Sequence, residues 1–293
     1  MDTLQSSIKG YMMIKIMVGD CVSTMKKIDS GSIHCCITSP PYFGLRDYGH
    51  DAQIGLEKTP EEFVSKLVDV FREVKRVLRD DGTLWLNIGD SYNGSGGQGT
   101  KPNIMSKEAA QGRGGKAIKV DGIKHKDLIG IPWMLAFALR SDGWYLRQDI
   151  IWNKPNPMPE SVQDRCTKAH EYIFLLAKSK KYYYDNESIK EISSSKSKGY
   201  DKANKRSVWT VTTKPYSGAH FATFPTDLIE PCVKAGCPIG GTVLDPFSGA
   251  GTTGLVAQRH GRNAILCELN EGYAVIAEKR IRDDSLSSQV EKC

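Results

Sequence analysis

TVLDPFSGAGTTGLVAQRHGRNAILCELN, residues 242–270, holds a complete strand–turn–helix–strand unit. An apolar, β-branched run ends at Asp245. The turn Phe247-Ser248-Gly249-Ala250-Gly251 follows, and a helical pattern opens at Thr252-Thr253. Glycine lets a backbone approach a ligand where a Cβ would collide. A second strand ends at Glu268, 17 residues after Gly251.

The same rhythm extends outward and argues for an α/β sheet with helices on its faces. SIHCCIT reads as a strand. TPEEFVSKLVDVFREVKRVLRDDG has a helix start at Thr59-Pro60 and apolar residues at helical spacing, with Gly82 as its expected stop. TLWLNIG, YLRQDIIW and EYIFLLAK read as strands, and DLIGIPWMLAFALRSDG, TDLIEPCVKAG and GYAVIAEKRI as helices.

The glycine turn has the spacing G-x-G without the third glycine of a dinucleotide-binding loop, and no G-K-[ST] for nucleotide phosphates. A carboxylate at Glu268 can accept both ribose hydroxyls of an adenosine ligand. Together these features suit an adenosine ligand without phosphates, S-adenosylmethionine.

A second stretch, CCITSPPYFGLRDYG at 35–49, runs from a buried-strand pattern into Ser39-Pro40-Pro41-Tyr42. Proline removes a backbone donor and fixes φ, so the strand cannot continue its ladder past Ser39. Either this is an ordinary strand end or something is held there.

With TSPPY first and DPFSGAGTTG some 200 residues later, the chain resembles the amino-group DNA methyltransferases, specifically the β-class with permuted motif order. VGDC at 18–21, DIIWNKPNPMPES at 149–161, HEYIFLLAKS at 170–179 and HFATFP at 220–225 carry the same resemblance. It implies a single catalytic domain over 1–293 with a Rossmann-like sheet, mostly parallel with one antiparallel strand. It also implies S-adenosyl-L-methionine as cofactor and double-stranded DNA as substrate. The candidate cofactor contacts are Asp20, Thr38, Phe221, Thr223, Phe224, Pro225, Asp245, Phe247, Gly249, Gly251, Thr252, Thr253 and Glu268. A cognate restriction endonuclease is a further partner the resemblance allows, and the protein would act as a monomer or homodimer.

The chemistry of the second stretch follows from physics. An exocyclic amine on cytosine or adenine is a poor nucleophile because its lone pair is conjugated into the ring. Acceptors at its two protons favour a pyramidal nitrogen. Ser39 Oγ and the Pro40 carbonyl are the candidate acceptors, Pro41 stiffens the chain behind them, and Tyr42 would stack on a base extruded from the duplex. In the family serine at the first position is more typical of cytosine-N4 enzymes and aspartate of adenine-N6 enzymes, so cytosine is favoured and adenine is the alternative. Arg46, in a loop expected to be mobile beside the base, and Lys154, Asn156 and Ser161 are candidate DNA contacts. The rivals are a methyltransferase acting on RNA or protein amides, a scaffold that binds DNA without catalysis, and a cytosine-C5 enzyme using Pro231-Cys232. The last dipeptide sits in a helical pattern and reads better as a buried cysteine.

The net charge of +6 is local: residues 93–126 and 178–206 each carry +5, leaving −4 on the other 230. That pattern suits a polyanion met by two segments. The first has eight glycines in 34 positions and reads as a basic insert, with Arg113 a candidate DNA contact. The second contains Lys180, Lys181 and three consecutive tyrosines, a composition suited to stacking and phosphate contact. The resemblance places the target-recognition region at 180–219, a task the insert would share. The eight cysteines have no C-x-x-C spacing, so neither a metal site nor disulfides are expected. The apolar run YMMIKIMVG is short and broken by Lys15, which suggests no signal peptide or membrane span and a cytoplasmic protein.

Overall fold

The computed structural model describes residues 12–45, 50, 52–94, 119–193, 201–214, 223–284 and 288–293. In chain order the elements are β1 (Met12–Val18), α1 (Cys21–Met25), β2 (Ile33–Thr38), α2 (Pro60–Val77), β3 (Leu78–Ile88), α3 (Ile131–Ser141), β4 (Tyr145–Asn153) and β5 (His170–Ala177). Then come β6 (Glu191–Ile192), β7 (Lys202–Ala203), β8 (Val208–Thr210), α4 (Thr226–Gly236), β9 (Thr242–Asp245), α5 (Thr252–Arg259), β10 (Asn263–Glu268), α6 (Glu271–Asp284) and β11 (Ser288–Lys292). Nine strands form one sheet in the order β11-β1-β10-β9-β2-β3-β5-β4-β8, and β6 pairs with β7. Among the described strands of the large sheet only β5 runs against its neighbours, β3 and β4. This is the mostly parallel sheet with one antiparallel strand that the resemblance implies.

Both faces are covered, which is why the central strands are near-continuous apolar runs. On β2, Cys36 packs under α1, α2 and α3, while Cys35 and Ile37 face α4, α5 and α6. MMIKIMV, within the run YMMIKIMVG, is β1, held between β10 and β11, with Ile14 and Ile16 fully buried.

The start of α2 is as expected: Thr59 Oγ1 accepts the Glu62 N–H at 3.1 Å. Its end is not. Leu78 is already extended, and Gly82 lies inside β3. Pairing overrides the glycine signal, because buried Leu78 sits opposite Ile33 before the register slips to Cys35 and Thr83.

The order β10-β9-β2-β3 contains the reversal that locates a ligand site. From β2 the chain moves through α2 to β3 on one side, and from β9 through α5 to β10 on the other. In open α/β sheets the crevice outside the carboxyl ends at such a point takes the ligand. Among the described residues no helix is long and apolar enough to cross a membrane.

Candidate functional site

β2 and β9 end side by side at this reversal, and a buried carboxylate ties them together. Thr38 Oγ1 donates to Asp245 Oδ1 at 2.6 Å, and Thr253 Oγ1 donates to Asp245 Oδ2 at 2.6 Å. The Phe247 N–H also donates to Oδ1, at 3.0 Å. Asp245 is 1% exposed, and burial pushes its carboxyl up to about 6, against the partial relief of these donors. Thr38, Thr252 and Thr253 are equally buried. Thr38, Asp245 and Thr253 thus form one buried tie between the two strand ends and the start of α5, and Thr252 lies buried beside it.

The glycine turn is shaped by two different demands. Gly251, at φ 75°, packs so closely on α6 that a Cβ would come within 2.8 Å of Ala277 Cβ. Gly249, at φ 50°, has nothing within 4 Å of its Cβ position. Its N–H donates to Glu268 Oε2 at 2.8 Å, while Oε1 accepts from Asn270 N at 2.9 Å. Burial raises the Glu268 carboxyl above the usual range, and these backbone donors counter it. A carboxylate has about four acceptor positions, so two remain for hydroxyls. Ser248 Oγ, in the same turn, is buried with no hydrogen-bond partner.

Asp20 follows β1 next to this turn, since Gly19 N donates to the Glu268 carbonyl at 2.9 Å. Its side chain caps α1 through Ser23 N at 2.8 Å. Half-buried Phe247 packs against the core beneath α2, and half-buried Phe224 against the opposite core, with Thr223 beside it. Pro225 is buried as the cap of α4. Phe221 lies outside the described residues. The open space at Gly249, the unpartnered Ser248 hydroxyl and the spare acceptor positions of Glu268 fit an adenosine ligand.

On the other side of the reversal, Ser39 is half-buried, and its hydroxyl has no hydrogen-bond partner among the described residues. Pro40 is buried, and among the described residues no backbone N–H donates to its carbonyl. The Tyr42 ring lies on Gly89, where a Cβ would come within 2.6 Å of Tyr42 Cε2. Its hydroxyl donates to Glu171 Oε2 at 2.7 Å and lies 3.4 Å from Asn87 Oδ1. Lys154 pairs with the other oxygen of Glu171. Sequence reasoning missed Glu171, Asn87 and Gly89. The one signal for Glu171 was a charge at the head of an otherwise apolar strand.

The remaining DNA candidates separate. Asn156 exchanges hydrogen bonds with the Thr213 backbone, at 3.2 and 3.0 Å, and so pins the segment after β8. Ser161 is exposed on the same proline-rich loop. Lys180 and Lys181 are exposed but follow Ala177, which pairs with Thr83 and Tyr145 at the amino-end edge of the sheet. Ser39 follows the carboxyl end of β2, so the beginning of the 180–219 region and Ser39 stand at opposite edges of the sheet. The neighbouring tyrosines are engaged by the protein itself: Tyr184 stacks on Trp85 at 6.2 Å, and Tyr182 packs under Arg147 at 5.6 Å.

Arg46 and Arg113 lie outside the described residues. Phe43, next to Tyr42 at the start of the stretch that leads to Arg46, is core, 5.5 Å from Phe63. Of the 93–126 insert, the stem is described. Asn93 Nδ2 donates to Val120 O at 3.1 Å and Ile123 O at 2.6 Å, and Val120 N donates back to Asn93 Oδ1 at 2.9 Å. The insert thus leaves and returns at the carboxyl-end edge, beyond β3. Cys232 of the Pro-Cys dipeptide is 1% exposed inside α4, and burial raises its thiol far above the ordinary value. It is a core side chain.

A family model described as DNA methylase matches residues 33–279. The type II methyltransferase M.SmaI of Serratia marcescens is 53% identical over 280 residues, covering 96% of this chain and 94% of its own. The type II methyltransferase M.Cfr9I of Citrobacter freundii is 54% identical over 266 residues, 91% of this chain and 87% of its own. A DNA modification methylase from Thermus thermophilus, solved in complex with S-adenosyl-L-methionine, superposes with a TM-score of 0.64 at 24% identity, covering 96% of this chain and 99% of that one. PvuII DNA methyltransferase (cytosine-N4-specific) superposes with a TM-score of 0.67 at 17% identity, covering 96% and 98%. The two structures agree with the sheet described above, and the family match spans both the Ser39 strand end and the glycine turn. The chain belongs to the N6/N4 DNA methylase family.

Proposed function

We propose that this protein transfers the methyl group of S-adenosyl-L-methionine to the exocyclic N4 of cytosine in double-stranded DNA. The observation that carries the reading is the Thr38–Asp245–Thr253 tie, because it joins the strand end bearing Ser39 to the glycine turn. When bound, the cofactor supplies an electrophilic sulfonium methyl. Glu268 would hold its ribose hydroxyls, and Asp20 and Phe247 would line the adenosine site. Ser39 Oγ and the Pro40 carbonyl accept hydrogen bonds from the two N–H groups of the target amine and orient its lone pair; the product amine keeps one of these protons and the other leaves to solvent. Tyr42 presents a ring face to the extruded base. Fixing amine and methyl in an attack geometry supplies most of the acceleration, and the preoriented acceptors supply the rest.

Serine at position 39 favours cytosine over adenine. The names of the curated relatives support a type II modification role, with an endonuclease of the same site as partner. The test treats unmethylated plasmid with protein and cofactor, then identifies the modified nucleoside by mass spectrometry. N4-methylcytosine is expected. N6-methyladenine overturns the choice of base, and an unmodified plasmid overturns the reading.

A further inference from the structure

Four strands bring one side chain each to a single point beside Tyr42, and the carboxylate at its centre has no role in the chemistry above. Tyr42 follows β2, Asn87 is the penultimate residue of β3, Lys154 follows β4 and Glu171 is the second residue of β5. We infer that Glu171 is a positioning residue for methyl transfer, holding the Tyr42 hydroxyl on one oxygen and the Lys154 ammonium on the other. The inference rests on the reading that Tyr42 borders the target base.

The tie is specific in each direction. The Tyr42 hydroxyl donates to Oε2 at 2.7 Å. Asn87, 4% exposed, donates through Nδ2 to the same oxygen at 3.3 Å and to the Tyr172 carbonyl at 3.0 Å. The carboxylate is therefore itself oriented by the sheet. Lys154 and Glu171 are each only 17% exposed, and the lysine Nζ lies 4.2 Å from the centre of the Trp152 ring. A pair this buried contributes little net stability, but either charge left alone is costly.

Gly89 supplies the second constraint on Tyr42, because the ring edge occupies the space a Cβ would take. The ring is thus seated at one edge and anchored at its hydroxyl. Without the anchor it can swing about its Cα–Cβ bond, away from the base. The same tie engages the Lys154 ammonium, so this lysine acts in the pocket wall more than as a phosphate contact.

The test measures single-turnover transfer of tritium-labelled methyl from S-adenosyl-L-methionine to plasmid DNA, with cofactor affinity from calorimetry. Glu171→Ala is expected to slow transfer roughly 10- to 100-fold while cofactor affinity stays unchanged. Glu171→Gln keeps an acceptor for the tyrosine hydroxyl and recovers most of the rate. Tyr42→Phe loses a comparable amount, and Tyr42→Phe/Glu171→Ala loses no more than the worse single variant, because both remove the same bond. If Glu171→Ala does not fold around an unpaired lysine, Glu171→Ala/Lys154→Met carries the same comparison. Transfer within about twofold of wild type, losses that multiply, or a matching loss of cofactor affinity overturns the inference. Wild-type protein that places no label in DNA overturns the methyl-transfer reading and this inference with it.

Discussion

Ser39 and Asp245 do different work at the same reversal. Ser39 has a hydroxyl without an internal partner among the described residues, whereas every oxygen of the Asp245 carboxylate is engaged. Ser39→Ala should therefore lower single-turnover transfer on the order of 100-fold and leave cofactor affinity intact by calorimetry. Asp245 should act on stability. Its carboxyl titrates at about 6 when folded against 3.8 ordinarily, because burial disfavours its charge. Between those values the folded chain holds a proton that the unfolded chain has released. Its contribution to stability is thus greatest below pH 3.8 and falls as pH rises to about 6. The displacement is worth on the order of 3 kcal/mol in total. Denaturant melts of wild type and Asp245→Asn should diverge across this window and run parallel above it; parallel curves throughout would mean that the carboxyl is not shifted. Asp245 was legible as a strand-end carboxylate, but its partners were not. Thr38 stands 207 residues away in sequence, and only the pairing of β2 with β9 makes them neighbours.

At the scale of elements, glycine and aspartate settle how the loops seat. Gly251→Ala places a Cβ against Ala277 at a left-handed φ, so it should destabilise by roughly 1–3 kcal/mol and shift the glycine turn. A chemical melt and a cofactor titration read the two effects separately, and a variant as stable as wild type would refute the packing argument. Asp90, absent from the expected site, accepts N–H bonds from Gly130 and Ile131 at 3.0 and 3.1 Å and so caps α3. Its distance from that helix in sequence hid it, because capping signals are local. Strand identity was legible for SIHCCIT, TLWLNIG and EYIFLLAK from apolar runs alone. The end of α2 was not, since the pairing of Leu78 with Ile33 is a tertiary demand.

For the whole molecule, the placement of charge differs from what sequence alone suggests. Both basic segments read as DNA-facing, yet Lys180 and Lys181 follow β5, the one strand that runs away from the carboxyl-end edge. The double variant Lys180→Ala/Lys181→Ala should keep DNA affinity and the slope of log affinity against log salt. A slope reduced by about two would instead count both lysines as phosphate contacts. The stem of the glycine-rich insert, by contrast, stands at the catalytic edge through Asn93. What the sequence determined by itself was the six strands β2 to β5, β9 and β10, the helices α2 to α6, the glycine turn with its carboxylates, and the Ser-Pro-Pro-Tyr strand end. Each is written in contiguous residues, where periodicity, proline and glycine act directly on the local backbone. Tertiary structure alone decided which edge each segment occupies, that Asp245 ties the two strand ends to the start of α5, and that Glu171 meets Tyr42 and Lys154. Those facts depend on strand direction and register, which are set by burying both faces of the sheet at once and by no single stretch of chain.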